Sequence, residues 1–251
     1  RRFSPRRLEG VHQFDDLLED PSRAALEGQA RELGGLARRL GAIAKSGLTS
    51  TERIEREMLD ANIRARIFEL EKVRSWERNP QRHAELLATS LAAQALFPYA
   101  PVEERARRIL SKLRQAPRLI EAARSTIHDP PGIFVKEGLN SFAGVAQFIE
   151  RDLPRALAEL DDMHLLSDLA DASTEAVATI RSYSDYLRDD VAPNAKGSFR
   201  LGRKVFDEKL ALEEGITLGA DRLLAIAERE LHETQEEFRK LAGKFGGGVA
   251  D

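Results

Sequence analysis

The sequence predicts an all-α fold, an irregular bundle of about ten helices, mostly antiparallel because their connections are short. Three features point that way. Apolar residues recur at three- and four-residue spacing in nearly every segment, and strand-like alternation occurs nowhere. Proline and glycine fall between these segments, where helices begin and end. Aromatic residues make up only 6% of the chain, so its core has to rest on Leu, Ile, Val and Ala.

The elements follow in order. Residues 7–19 read as a short amphipathic piece, and Pro21 opens a helix reaching about Lys45. Gly34, Gly35 and Gly41 lie inside it, and Ser46-Gly47 ends it. Thr49 and Glu52 have capping-box spacing for a helix to about Arg78. Ile54, Met58, Ala61, Ala65 and Phe68 form one apolar face of that helix, and Ile63, Ile67 and Leu70 a second, which predicts a central position. Asn79-Pro80 stops it, and Leu86, Leu87, Leu91 and Leu96 mark the next helix. The corner 97–101 puts Pro101 at the first turn of a helix over 102–115. Pro117 begins another, closed by His128-Asp129-Pro130-Pro131. Val135, Leu139, Phe142, Ala146, Ile149 and Leu153 then make a buried seam at spacings of four and three. A short helix follows Pro154, and a long one runs from about Ser167 to Val191. A polar connection over 192–201 leads to a helix at 202–212. The last helix, from about Leu218, carries Leu224, Ala227, Leu231, Phe238, Leu241 and Phe245 on one face. Residues 1–245 are expected to form a single helical domain, and the glycine run within 246–251 a flexible tail or truncated linker.

The 251 residues contain no cysteine, which excludes disulfides, thiolate metal sites and thiol nucleophiles together. Residues 1–125 carry 24 Lys and Arg against 18 Asp and Glu, residues 126–251 carry 15 against 24, and the net charge is −3. The basic half interleaves its charges along helices, as in Glu52, Arg53, Glu55, Arg56 and Glu57, so it reads as solvated pairing and no nucleic-acid partner is expected. No apolar run approaches the ~20 residues of a membrane span. A start at Arg1 without Met reads as a processed or excised form, and the compartment stays open.

Candidate chemistry is sparse. His232-Glu233 suggests a zinc helix, but the position of the second imidazole holds Glu236. Leu231 and Phe238 mark the buried face there, leaving Glu233, Glu236 and Glu237 solvated. His12, His83, His128, His164 and His232 are too far apart in sequence for a helical metal pair and read as surface or capping residues. Asp15-Asp16 and Asp161-Asp162 sit near helix ends and read as structural. No catalytic or metal-binding residue is assigned. Lys196, Arg200, Arg203 and Lys204 put four cations in or beside the long connection, where they are candidates for binding a substrate carboxylate or phosphate. The plainer alternative is that they offset the dipole of the preceding helix and pair with the acidic half.

Four stretches form a pattern: Asp60 to Trp76, Arg105 to Ala123, Pro130-Pro131 before a long helix, and, most specific, Phe199-Arg200-Leu201-Gly202 through Phe206 and Leu210. Together they resemble one bacterial family, domain of unknown function 885, whose members look like zinc-dependent peptidases, and the likeness runs from about residue 50 onward. It implies an N-terminal helical half that walls a substrate cleft. The His-Glu-x-x-His helix would lie in a C-terminal catalytic half beyond this chain. No cofactor is expected in the chain itself, with zinc implied for the full-length protein, and no catalytic residue carries over. The expected function is thus a scaffold and substrate-cleft portion of a peptidase, inactive alone. The alternative is a stand-alone helical protein-interaction module, and a carboxylate-based helical enzyme is a third reading. Partners expected are the missing catalytic half and, through exposed apolar surface, a second copy of the chain.

Overall fold

The computed structural model describes residues 12–244, and the expectations for residues 7–11, Phe245 and the 246–251 tail lie outside them. The described residues form eight helices, not about ten, and no strands. They are α1 (Arg23–Gly41), α2 (50–73), α3 (Gln81–Leu96), α4 (Val102–Thr126), α5 (132–156), α6 (163–194), α7 (Arg203–Glu213) and α8 (Ala220–Lys244). Residues 12–19 make a turn and extended chain where a helical piece was expected.

Two prolines account for most of the difference in helix number. Pro117 lies inside α4 instead of starting a new helix. An interior proline costs roughly 3 kcal/mol. Leu113, Ala116, Leu119 and Ile120 on both sides of it are all buried, so packing holds the two halves on one axis. Pro154 is absorbed differently. The turn Phe148–Asp152 is π-helical, and the Leu153 amide bonds back to the Phe148 carbonyl, five residues earlier. The same device recurs at Leu187–Val191, two residues before Pro193. A π turn re-spaces the backbone just where a proline withholds its N–H.

Helices α3 to α6 enclose the main core. Side-chain pairs fix their directions. Arg105, early in α4, reaches the Gln94 and Ala95 carbonyls at the end of α3, while Lys112 reaches the Ser90 carbonyl at 2.9 Å. These two therefore run antiparallel. Helices α4 and α6, which make the most extensive contact in the molecule, run parallel, with Arg114 on Asp168 and Arg124 on the Ser182 carbonyl. The predicted seam of α5 is real: Val135, Phe142, Ala146, Ile149 and Leu153 are buried, and Leu139 packs on their rim. Phe142 meets the Tyr183 ring edge-on at 5.1 Å. Burial pushes the Tyr183 phenol upward, so it stays neutral.

The chain before α1 is strapped to α4. Asp15 is buried and takes Arg108 at 3.1 Å and His12 at 2.9 Å, while the Gln115 side chain bonds both Leu18 N and Asp16 O. A smaller cluster of Leu26, Ala30, Leu70 and Trp76 joins α1 to the end of α2. Trp76 donates to the Leu70 carbonyl at 2.9 Å, and Arg23 and Arg74, both paired with Glu77, lie against its ring.

Helix α2 begins with the expected capping box. Thr49 Oγ1 accepts from Glu52 N at 3.3 Å, and Glu52 accepts from Thr49 N at 2.8 Å, contacts that hold the Glu52 carboxyl below its ordinary range. Its predicted central position is not borne out. Ile54, Met58 and Leu59 are exposed, because among the described residues its main neighbours, α1 and α7, cover its second half. Likewise Leu231 and Phe238 do not face a core. No residue of α8 is buried, and Leu224, Leu231 and Phe238 are 58, 58 and 62% exposed.

Candidate functional site

Three connections converge at one end of the bundle. The first is the turn 74–79, which leaves α2 through Arg74 at φ 52°. The second is the Pro-Pro turn between α4 and α5, with Asp129 at φ 41°. The third is the long polar connection after α6. Lys196 pairs with Pro131 in an isolated antiparallel bridge, and Arg78 donates to the Ser198 carbonyl at 2.6 Å. His128 N donates to the Glu77 carbonyl at 2.7 Å, which closes the group.

Glycine at 197 is what permits this approach. A Cβ there would sit 2.9 Å from the Pro130 carbonyl carbon and nearer still to the Asp129 carbonyl oxygen. Gly202 serves otherwise: its φ of 79°, with open space around it, turns the chain into α7.

The four cations of the connection divide. Arg203 is taken up by Asp221 at 2.7 Å and Asp207 at 3.7 Å. Those contacts keep its guanidinium firmly protonated and tie the start of α8 to α7. Asp207 also accepts from Ala220 N at 3.1 Å, capping α8. Lys196, Arg200 and Lys204 are exposed and form no ion pair among the described residues. Arg200 lies over the ring of the exposed Phe199, 5.2 Å from its centroid. The arrangement offers an aromatic face and unpaired positive charge beside a backbone fixed from two sides. It suits binding of an anion and holds no nucleophile–base pair.

Sequence reasoning did not find an apolar cavity away from these connections. It has a volume of ≈ 610 Å³ and lies between the end of α5 and the first half of α6, walled by Leu153, Leu157, Leu169 and Val177. Glu150 and Arg181, 2.6 Å apart, line it and also the adjoining cavity of ≈ 390 Å³. Its one polar edge is that ion pair with the Ser173 and Thr174 hydroxyls, so it suits an apolar side chain. The π turn before Pro154 that shapes it has no clear sequence signal. None of the four candidate cations lines these two cavities.

The residues present do not fit a zinc site. His232 pairs with Glu236 at 3.2 Å on the exposed surface of α8, and Glu233 pairs with Arg229 at 3.8 Å. One imidazole with scattered carboxylates lacks the three protein donors of a catalytic zinc. Among the described residues no three His, Asp or Glu side chains converge. His83 is buried, against the surface position expected of it, because the first turn of α3 lies under the Trp76 cluster. Asp162 caps α6 by accepting from His164 N and Leu165 N. No described helix is long and apolar enough to cross a membrane.

Residues 7–251 match the family described as "Bacterial protein of unknown function (DUF885)". The chain belongs to this family. Its fold is shared with a solved structure of a candidate lipoprotein of unknown function from Shewanella oneidensis, with a TM-score of 0.80 at 22% identity. The likeness covers 94% of this chain and 44% of that one, so this DUF885 chain spans less than half the length of the protein it resembles. No curated protein matches it.

Proposed function

We propose that this chain is the helical scaffold and substrate-cleft portion of a zinc-dependent peptidase, with residues 1–245 acting as one domain. The observation that carries the scaffold reading is the bare stripe of Leu224, Leu231, Phe238 and Leu241 on α8. Large apolar side chains in line on a charged helix fit a surface built to be covered. The partner assigned to it is a catalytic half of the same protein. The fold shared with a chain of more than twice the matched length supports this. The peptidase chemistry rests on the ordered motifs ending in Phe199-Arg200-Leu201-Gly202.

In this reading Lys196, Arg200 and Lys204 bind a carboxylate of the peptide, and Arg203 orients the loop through Asp221. The apolar cavity between α5 and α6 takes a side chain. Zinc, held in the other half, would activate water for amide hydrolysis, and no step at the metal is assigned to residues here. The reading of the encoding gene past Asp251 is the direct test. A downstream His-Glu-x-x-His is expected, and a stop at Asp251 would overturn the proposal. Metal analysis should find no stoichiometric zinc on residues 1–251 alone, and one tightly held zinc per chain would equally refute it. In the full-length protein, Arg200→Gln with Lys204→Gln should raise KM and leave kcat nearly unchanged.

The same stripe favours one other reading, a stand-alone helical interaction module. A gene ending at Asp251, with the chain self-associating through α8, would support that reading.

A further inference from the structure

A third cavity, of ≈ 190 Å³, lies where α1, α2, the Trp76 turn and α3 meet, and it brings together groups that no motif suggested. His83 lines it, is only 2% exposed, and has no hydrogen-bond partner at Nδ1. A buried ring nitrogen without a partner forfeits its solvation with nothing in exchange. Arg66, itself buried, and Arg82 line the same space, as does Glu19. Arg66 donates to Gln29 at 2.9 Å and stands 4.0 Å from Glu19, while Arg82 is 3.5 Å from Glu69. Two cations and one carboxylate face the space, and Glu69, paired with Arg82 from outside the lining, brings the group to neutrality. The remaining wall is apolar, with Leu26 and Trp76 among its residues.

We propose that this cavity is a binding site for a small monocarboxylate with a short apolar body, between butyrate and benzoate in size. Three features select that class. Guanidinium donors on the wall, with its one carboxylate already beside Arg66, favour an anion over a cationic ligand. A carboxylate is an acceptor at both oxygens, so it can take the Nδ1–H of a neutral His83 and a guanidinium N–H together. Burial, with Arg82 nearby, pushes His83 down to about 4, so the ring is neutral at physiological pH. The Pro80 carbonyl pulls the other way, but Nδ1 makes no hydrogen bond. Size supplies the last constraint. An apolar cavity of about 150 Å³ holds benzene and stays free of water, so the space here takes a ring or a short alkyl chain with a carboxylate. Water alone would satisfy His83 but leave the Leu26 and Trp76 side uncovered.

The test uses the intact chain with sodium butyrate and sodium benzoate, and with butyramide and butylamine as isosteric controls. At about 20 mM, the carboxylates should raise Tm by about 3 °C or more, increasing with concentration, and the controls should not. The ring-nitrogen resonances of His83 should move on titration with butyrate. Arg82→Gln should weaken binding about tenfold. An equal rise with butyramide, or no rise with either carboxylate, would overturn the proposal. So would a rise that leaves the His83 resonances in place. If Arg82→Gln does not fold, the resonance shift in the unmodified chain decides alone. Neither outcome depends on peptidase activity, so this proposal and the functional one fail separately.

Discussion

Replacing Gly197 with alanine tests whether the connection after α6 is held by close backbone contact or merely drapes over the bundle. The added methyl would lie 2.9 Å from the Pro130 carbonyl carbon and 3.0 Å from that of Asp129. Carbon atoms rest about 3.5–4.0 Å apart and the Asp129 carbonyl oxygen lies closer still, so more than about 1 Å must be found. Both neighbours are backbone, fixed by the Pro-Pro turn, and no side chain can swing aside. The connection has to lift, and the Lys196–Pro131 bridge and the Arg78 bond to Ser198 go with it. Overpacking of this kind costs about 1–3 kcal/mol, and a central value of about 2 follows from contacts that are tight but near the surface.

Urea unfolding followed by far-UV circular dichroism measures the effect. With a slope of about 3 kcal/mol per molar urea for a chain of this size, the midpoint should fall by about 0.7 M. Gly144→Ala is the control. A Cβ there meets nothing within 4 Å, and Gly144 lies in the α-helical part of α5, so that midpoint should hold or rise slightly. Equal midpoints for the two variants would refute the close-packing argument. Gly202→Ala separates the other cause. It has room for the methyl, so its loss, about 1–3 kcal/mol, would come from backbone conformation alone.

Three further outcomes follow from burial and charge. His83 takes a proton near 6.5 when unfolded and only near 4 when folded, so the unfolded state gains its proton first as pH drops. Its contribution should therefore fall by about 3 kcal/mol between those values and stay flat above pH 7, and His83→Gln should remove that share of the acid slope in pH-dependent urea unfolding. Arg105→Met should cost about 3 kcal/mol in the same assay, because three carbonyls, those of Gln94, Ala95 and Ala100, lose their donor at the end of α3. Sedimentation of the isolated chain should show concentration-dependent association that Leu231→Glu abolishes, and a monodisperse monomer at high concentration would count against the exposed stripe as a docking surface.

The helical class and most helix boundaries were legible because each rests on local chemistry. The Thr49–Glu52 box and the α5 seam depend on residues within a turn or two of one another. Pro117 was misread because proline's local cost is visible in sequence, whereas the burial of Leu113 and Leu119 that outweighs it is tertiary. The apolar stripes on α2 and α8 show the limit from the other side. Periodicity reveals that a face is apolar but not which element, if any, lies against it. The cations of the connection were visible, yet only the fold separates Arg203, bound to Asp221, from Lys196, Arg200 and Lys204. The three cavities depend on residues distant in sequence and left no local signal.

Helix α8 brings these points together. It is 25 residues long and buries none of them. What holds it here is local: the Asp207 cap, the Arg203–Asp221 pair, and i,i+4 pairs such as Arg229–Glu233 and His232–Glu236. Such solvent-exposed side-chain pairs stabilise a helix only weakly, and a helix that rests on them gains little without tertiary packing. Covering Leu224, Leu231, Phe238 and Leu241, already partly shielded, would add about 1 kcal/mol each, or about 4 in all. The stripe therefore outweighs the local pairs, and its energy is available only when something lies on it. The short tie from Asp207 and Arg203 to α8 then has a clear role. It fixes where α8 leaves the bundle, beside the connection that carries Lys196 and Arg200, so whatever covers the stripe is brought up to those cations.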